Sequence, residues 1–193
     1  MFAQVDSTAY SRDYEFKEGV FLSFYQLKAN DPISKSSIIS SIPKEELTFF
    51  KQLMVQSVFK YTDSTGKERE VSVSDSWGYC QNRSVYINYN KTFNKLNVIG
   101  TLCHFTAIVA ANIGYRDPMN FGLNTTDELH QFVYDTQTNK IYDFTAKSME
   151  MLIINDMDLY KQFTSLKRRD KENSIFIYLR KYNDKHPLFL SSK

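Results

Sequence analysis

From Ser57 to Ala110 the sequence alternates apolar and polar residues with a period of two, interrupted only by short clusters of turn formers. That pattern fits strands and excludes long helices over this stretch. Phe59 and Tyr61 alternate with polar neighbours, Asp63-Ser64-Thr65-Gly66 supplies a turn, and Val71 and Val73 resume the alternation, which predicts a hairpin. Further strands are expected over 77–80, 85–89, 93–98 and 102–110, with turns at Asn82-Arg83 and Asn90-Lys91 and a bulge at Gly100. A last hairpin is expected to pair 129–135 with 140–145, stacking Phe132, Tyr134, Tyr142 and Phe144 across its strands. Aromatic residues make up 15% of the chain against only 6 Gly and 4 Pro, which suits extended structure and opposes disorder.

The flanks read differently. Ser23 followed by Gln26 fits a capping box for a short helix ending near Asn30-Asp31-Pro32. A second helix is expected from Pro43, burying Leu47, Phe50 and Met54. Near the other end, 149–154 reads as an apolar helix, and Asn155 or Asp156 can cap a helix carrying Leu159, Phe163 and Leu166. A final helix presents Ile175, Leu179 and Tyr182 and stops at His186-Pro187. The expected fold is therefore α+β: an antiparallel, strongly twisted or partly closed sheet of about 7–8 strands, covered by helices from both chain ends. Residues 1–13 are expected to be a signal remnant and flexible segment, and residues 14–193 a single domain.

Net charge is +2, which gives no basic footprint for nucleic acid. Residues 161–193 nevertheless hold nine basic and three acidic side chains, so this end is about +6 and the remainder about −4. Lys167, Arg168 and Arg169 are its densest point, either a solvated helix face or a docking surface for an acidic partner or anionic lipid headgroups. Met1-Phe2-Ala3-Gln4 reads as the end of a secretory signal with Ala3 in its last position, and no Cys follows it to carry a lipid. A soluble periplasmic or secreted protein is expected, without a spanning segment.

Cys80 and Cys103 are the only cysteines, and an exported chain with an even count invites a disulfide. If Tyr89 faces Thr92, continuing that pairing places Cys80 opposite Thr101 and diagonal to Cys103, close enough for a slipped register to join them. Buried free thiols are the alternative. Cys103 and His104, as neighbours in a strand, point to opposite faces and make a poor nucleophile and base pair. The three histidines lack metal-ligand spacing, the carboxylates suit turns and caps, and no cofactor, catalytic or metal motif emerges. Asn82-Arg83-Ser84, Asn90-Lys91-Thr92 and Asn124-Thr125-Thr126 match glycosylation acceptors and are read as surface turns. Trp77, Tyr79, Tyr86 and Tyr89 are able to line a sugar- or peptide-binding face or simply to pack a core; Tyr86 and Tyr89 have opposite parity. The segment 112–126, with Tyr115, Arg116, Met119 and Phe121, is long for a connection in a compact sheet and is the first choice for a partner contact.

Three segments together resemble a family of small, uncharacterised exported proteins of Gram-negative cell envelopes: 18–24, Trp77-Gly78-Tyr79-Cys80 with Val85-Tyr86-Ile87, and 178–188. The resemblance implies export and one folding unit, and no activity or ligand. The leading functional expectation is a non-catalytic envelope protein that binds another protein, as an accessory component of an outer-membrane complex. The alternative is a small apolar-ligand or saccharide binder. A hydrolase or cysteine enzyme ranks below both.

Overall fold

The computed structural model describes residues 7–112 and 125–192. In chain order the elements are β1 (Ser7–Ala9), β2 (Gly19–Phe21), α1 (Phe24–Ala29), β3 (Ile33–Ser34), β4 (Ile38–Ile39), α2 (Phe49–Leu53), β5 (Val58–Thr62) and β6 (Glu68–Ser72). There follow β7 (Gly78–Gln81), β8 (Ser84–Tyr89), β9 (Thr92–Val98), β10 (Leu102–Asn112), β11 (Thr125–Asp135) and β12 (Lys140–Asp143). The chain ends with α3 (Ala146–Leu152), α4 (Met157–Thr164), α5 (Arg168–Lys185) and β13 (Phe189–Ser191).

The main sheet has eight antiparallel strands in the order β12-β11-β10-β9-β8-β7-β2-β3 and is not closed. It is strongly rolled. The Trp77 indole donates to the Tyr134 hydroxyl at 3.3 Å, although the strands concerned lie four places apart. On a flat sheet that separation would be about 19 Å. The rolled-in face is filled: Phe21, Cys80, Val85, Ile87, Leu96, Cys103, Phe105, Phe132 and Tyr134 pack together, with Leu27 of α1 and Leu188 and Leu190 near the carboxy-terminal end sealing the cluster. β1 pairs with β13, so residues 7–9, expected to be flexible, are part of the folded unit; residues 1–6 lie outside the described residues.

The outward face carries two separate covers. Over β10 and β11, α3, α4 and α5 pack Met149, Ile153, Leu159, Phe163 and Leu179 onto Leu102 and Val133. The Asn183 side chain of α5 donates to the Leu102 carbonyl and accepts from the Leu102 N–H, both at 2.8 Å, occupying a gap in the ladder where β9 and β10 part. A Cβ on Gly100 would collide with that amide, which explains the glycine. Asp156, which caps α4 by accepting from Leu159 N at 3.0 Å, also accepts from Lys185 and His186. The Lys185 ammonium and the Leu159 N–H hold its carboxyl well below the usual carboxylate range. His186 is thus a structural clasp between α4 and the end of α5.

Over β2, β7 and β8 the cover is smaller: α2, five residues long, and the three-stranded sheet β4-β5-β6. The expected β5–β6 hairpin forms, with Phe59 opposite Val71, but belongs to this separate sheet and not to the meander. α2 begins six residues after Pro43 and leaves Leu47 77% exposed; its buried side chains are Phe49, Phe50 and Leu53.

Several local expectations hold. Ser23 caps α1 by accepting from Gln26 N, and Asn30 ends it in the left-handed conformation. Two others are corrected. Phe132 pairs with Asp143 and Val133 with Tyr142, so Phe132 and Tyr134 face the rolled interior whereas Tyr142 and Phe144 face the helices. The four aromatics do not stack across the hairpin, because a one-residue difference in register moves a side chain to the other face. Cys80 and Cys103 are both free. The Asn82-Arg83 turn folds the chain back and pairs Cys80 with Val85, leaving β8 and β9 between the strands that carry the two cysteines.

Candidate functional site

Three strands and one short helix build an open aromatic surface. The turn residues Asn82 and Arg83 both have positive φ, 49° and 59°, which closes a tight two-residue connection and sets Gln81 opposite Ser84 and Tyr79 opposite Tyr86. Asn90 and Lys91 repeat this at 51° and 63°, setting Asn88 opposite Phe93. Tyr79, Tyr86 and Phe93 therefore share the outward face. Gly78 permits the approach, since a Cβ there would strike the Tyr86 carbonyl.

The rings form a row that starts in the core and ends at the surface. Phe50 of α2 stacks on Tyr79 at 6.0 Å between centroids, and Tyr79 stacks on Tyr86 at 4.6 Å with planes 7° apart. Phe93 meets Tyr79 at 5.5 Å. Phe50 and Tyr79 are buried, whereas Tyr86 and Phe93 are half-buried and border a cavity of about 940 Å³. Its rim is the exposed Leu47 and Val55 on the α2 side, with Ser72, Ser74, Asn82, Ser84 and Thr92 opposite. The Gln81 amide donates to the Leu47 carbonyl and ties the approach to α2 to the sheet. Burial, with Tyr86 alongside, pushes the Tyr79 phenol up to about 12, so it remains a neutral hydroxyl. Lys51 and Lys91 are the charged groups lining this cavity, and neither forms an ion pair among the described residues.

A second hollow of about 760 Å³ adjoins the first, sharing Ser74 and Lys91 in its wall. Phe24, Tyr25, Trp77 and Tyr134 line it, together with Lys28. Asn88 fixes the partition by donating to the carbonyls of Ser74 at 3.0 Å and Ser76 at 2.9 Å. The Tyr134 hydroxyl donates to Asn139 Oδ1 at 2.7 Å, and burial raises its pKa.

The expected site residues are distributed unevenly around this geometry. Tyr79 and Tyr86 lie together on the groove floor, Trp77 lies in the second hollow, and Tyr89 faces the opposite side of the sheet against Phe105 and Phe132. Lys167, Arg168 and Arg169 are exposed at the start of α5 and line neither cavity; Arg168 contacts Glu172 at 3.3 Å. Tyr115, Arg116, Met119 and Phe121 lie outside the described residues.

Burial pushes both thiols up to about 12, so they are protonated at neutral pH and unsuited to nucleophilic attack. Cys80 donates to the Phe16 carbonyl and Cys103 to the Gly100 carbonyl. His104 sits on the other face of its strand, packed against Phe144 and Phe176, with Nε2 on Gln131 Oε1 at 3.0 Å and Nδ1 without a partner. Sequence reasoning missed Phe93, Lys51, Lys91 and Ser74. The signal for Phe93 was present: the Asn90-Lys91 turn fixes which face it occupies. The two lysines reach the groove only through the placement of α2 and of the hairpin tip.

No family model matches the chain, and no curated protein or solved structure matches it. Among the described residues, no helix is long and apolar enough to cross a membrane.

Proposed function

We propose that this protein is a non-catalytic binding module that takes a saccharide in the groove between α2 and the β7–β9 strands, the flat face of a sugar ring lying against Tyr86. The observation that carries this reading is the stacked Tyr79–Tyr86 pair at the floor of an open cavity. A sugar ring offers C–H groups on its faces and hydroxyls around its edge, and a site for it needs an aromatic plate surrounded by hydroxyls and amides. Phe50 and Tyr79 brace Tyr86 from behind, so the plate loses little freedom when a ligand settles on it. Side chains fill the rolled interior, which leaves the groove and the hollow beside Trp77 and Tyr134 as the places open to a small ligand. The resemblance to exported envelope proteins supports a setting in the periplasm or outside the cell, and the buried thiols suit either redox environment.

A second reading, docking of an envelope protein, draws on a different surface. Ile108 of β10 and Leu129 of β11 stand directly opposite each other and are 64% and 71% exposed, on the hairpin that leads into the 112–126 segment.

Tyr86→Ala separates the first reading from simple core packing. Because the ring is half-buried, the variant is expected to keep the circular-dichroism spectrum and a cooperative melt while losing at least tenfold in affinity for oligosaccharides by calorimetry. Undiminished binding would remove the groove from consideration.

A further inference from the structure

The charged side chains in the walls of both cavities are all of one sign. Eighteen residues line the first and fifteen the second, and none is an aspartate or glutamate. Lys51 lines the first, Lys28 the second, and Lys91 both. These three ammonium groups have no ion-pair partner among the described residues. Asp75 lies beside the partition in sequence and lines neither cavity. In a chain of net charge +2, with acidic residues nearly as numerous as basic ones, two adjoining cavities whose only charged lining groups are lysines attract anions, although the exposed Asp75 beside Ser74 offsets part of that field.

The partition itself bears a polar group without a partner. Ser76 is 2% exposed, lines the second hollow, and its hydroxyl has no hydrogen-bond partner. Buried hydroxyls are ordinarily satisfied, so this one is an exception within the wall between the two cavities. Aromatic plates stand at both ends of the path: Tyr86 in the groove, and Trp77 with the 78% exposed Tyr25 in the hollow.

We propose, building on the saccharide reading above, that the ligand is an acidic oligosaccharide running from the Tyr86 groove past Lys91 into the hollow beside Trp77. Carboxylate or sulfate groups meet Lys51, Lys91 and Lys28 along the way, and sugar rings rest on the aromatic plates at either end. Charge gives attraction along the whole path, while ring stacking fixes which units occupy the two ends.

The test uses calorimetry on the full chain with acidic hexasaccharides of three kinds (galacturonate, mannuronate and heparin-derived), the galacturonate monomer, neutral maltohexaose and hexaglutamate. At least one acidic hexasaccharide is expected to bind ten times or more tightly than monomer, maltohexaose and hexaglutamate, and to weaken as salt is raised. Lys91→Gln is expected to weaken it about tenfold. Tyr25→Ala and Lys28→Gln, at exposed positions, are each expected to weaken it several-fold. Hexasaccharide binding unchanged by Tyr25→Ala and Lys28→Gln would overturn the extended path and leave the groove reading standing. Maltohexaose binding as tightly as the acidic forms would overturn the charge assignment alone. Hexaglutamate binding best, or no saccharide binding at all, would overturn this proposal and the saccharide reading together.

Discussion

One sheet face is covered twice, and the two covers differ in what they leave open. Over β10 and β11, the 18-residue α5 with α3 and α4 buries Leu102, Val133 and Leu179 almost completely. Over β7 and β8, the five-residue α2 reaches only as far as Tyr79, and the aromatic row emerges half-buried at Tyr86 and Phe93. The strands beneath present apolar side chains to both covers, Leu102 and Val133 under the first and Tyr79, Tyr86 and Phe93 under the second. What distinguishes a core from a candidate site is the length of the element laid over it. Apolar surface under the long helix contributes about 25 cal/mol per Å² to stability, whereas the same kind of surface beyond the short one remains available to a ligand.

That contrast is most directly broken in the helical cover. Leu179→Ala removes a fully buried side chain beneath α5 and is expected to destabilise the protein by about 3 kcal/mol in urea unfolding. A loss below about 1 kcal/mol would mean that the site collapses easily and that the two covers are less different than their geometry suggests.

Asn183→Ala is expected to cost about 2 kcal/mol, because it strips partners from both the N–H and the carbonyl of the buried Leu102. Asn183→Asp sharpens the result, since a carboxylate still accepts from the N–H but cannot donate to the carbonyl. An aspartate variant as stable as the parent would show that the donated bond contributes little.

The smallest effect concerns acid. Burial lowers the His104 pKa, partly offset by its bond to Gln131, so the folded protein prefers the neutral ring. As pH falls through about 6.5, the ordinary value for histidine, the unfolded chain takes up a proton that the folded one resists. Stability is therefore lost from that point downward until the folded pKa is passed. Asp156 acts in a different window: its carboxyl is held low, so its contribution is present above about pH 4 and is lost only at stronger acidity. His104→Leu is expected to flatten the melting temperature between pH 7 and 5 and leave the steeper loss below pH 4. An unchanged profile across both windows would assign the mild-acid loss to another group.

Much of this architecture was legible because it is local. Ser23, Gln26 and Asn30 specify α1 within one short stretch of chain, and the pairs Asn82-Arg83 and Asn90-Lys91 each specify a hairpin. The errors came from longer reach. Pairing Cys80 with the region of Thr101 treated 80–89 as one strand, although the Asn82-Arg83 turn already divides it. Spacing alone places Leu47 in a buried stripe, but no helix forms until Phe49. Half of the candidate site was readable in the same way: a tight turn at residues 82 and 83 puts Tyr79 beside Tyr86. Lys51 and Ser74 were not, because only tertiary packing brings α2 and the turn after β6 against those strands.

The two tight turns spend their left-handed positions alike, each placing a basic residue where glycine is the easier occupant. Arg83 is held by Glu15, so its strain is matched by a contact within the chain. Lys91 has no such ion pair among the described residues, although glycine would adopt that conformation more easily. On the saccharide reading proposed above, the hairpin tip is thus a point where robustness and recognition pull the choice of residue in opposite directions, with Lys91 the residue that would serve the cavity.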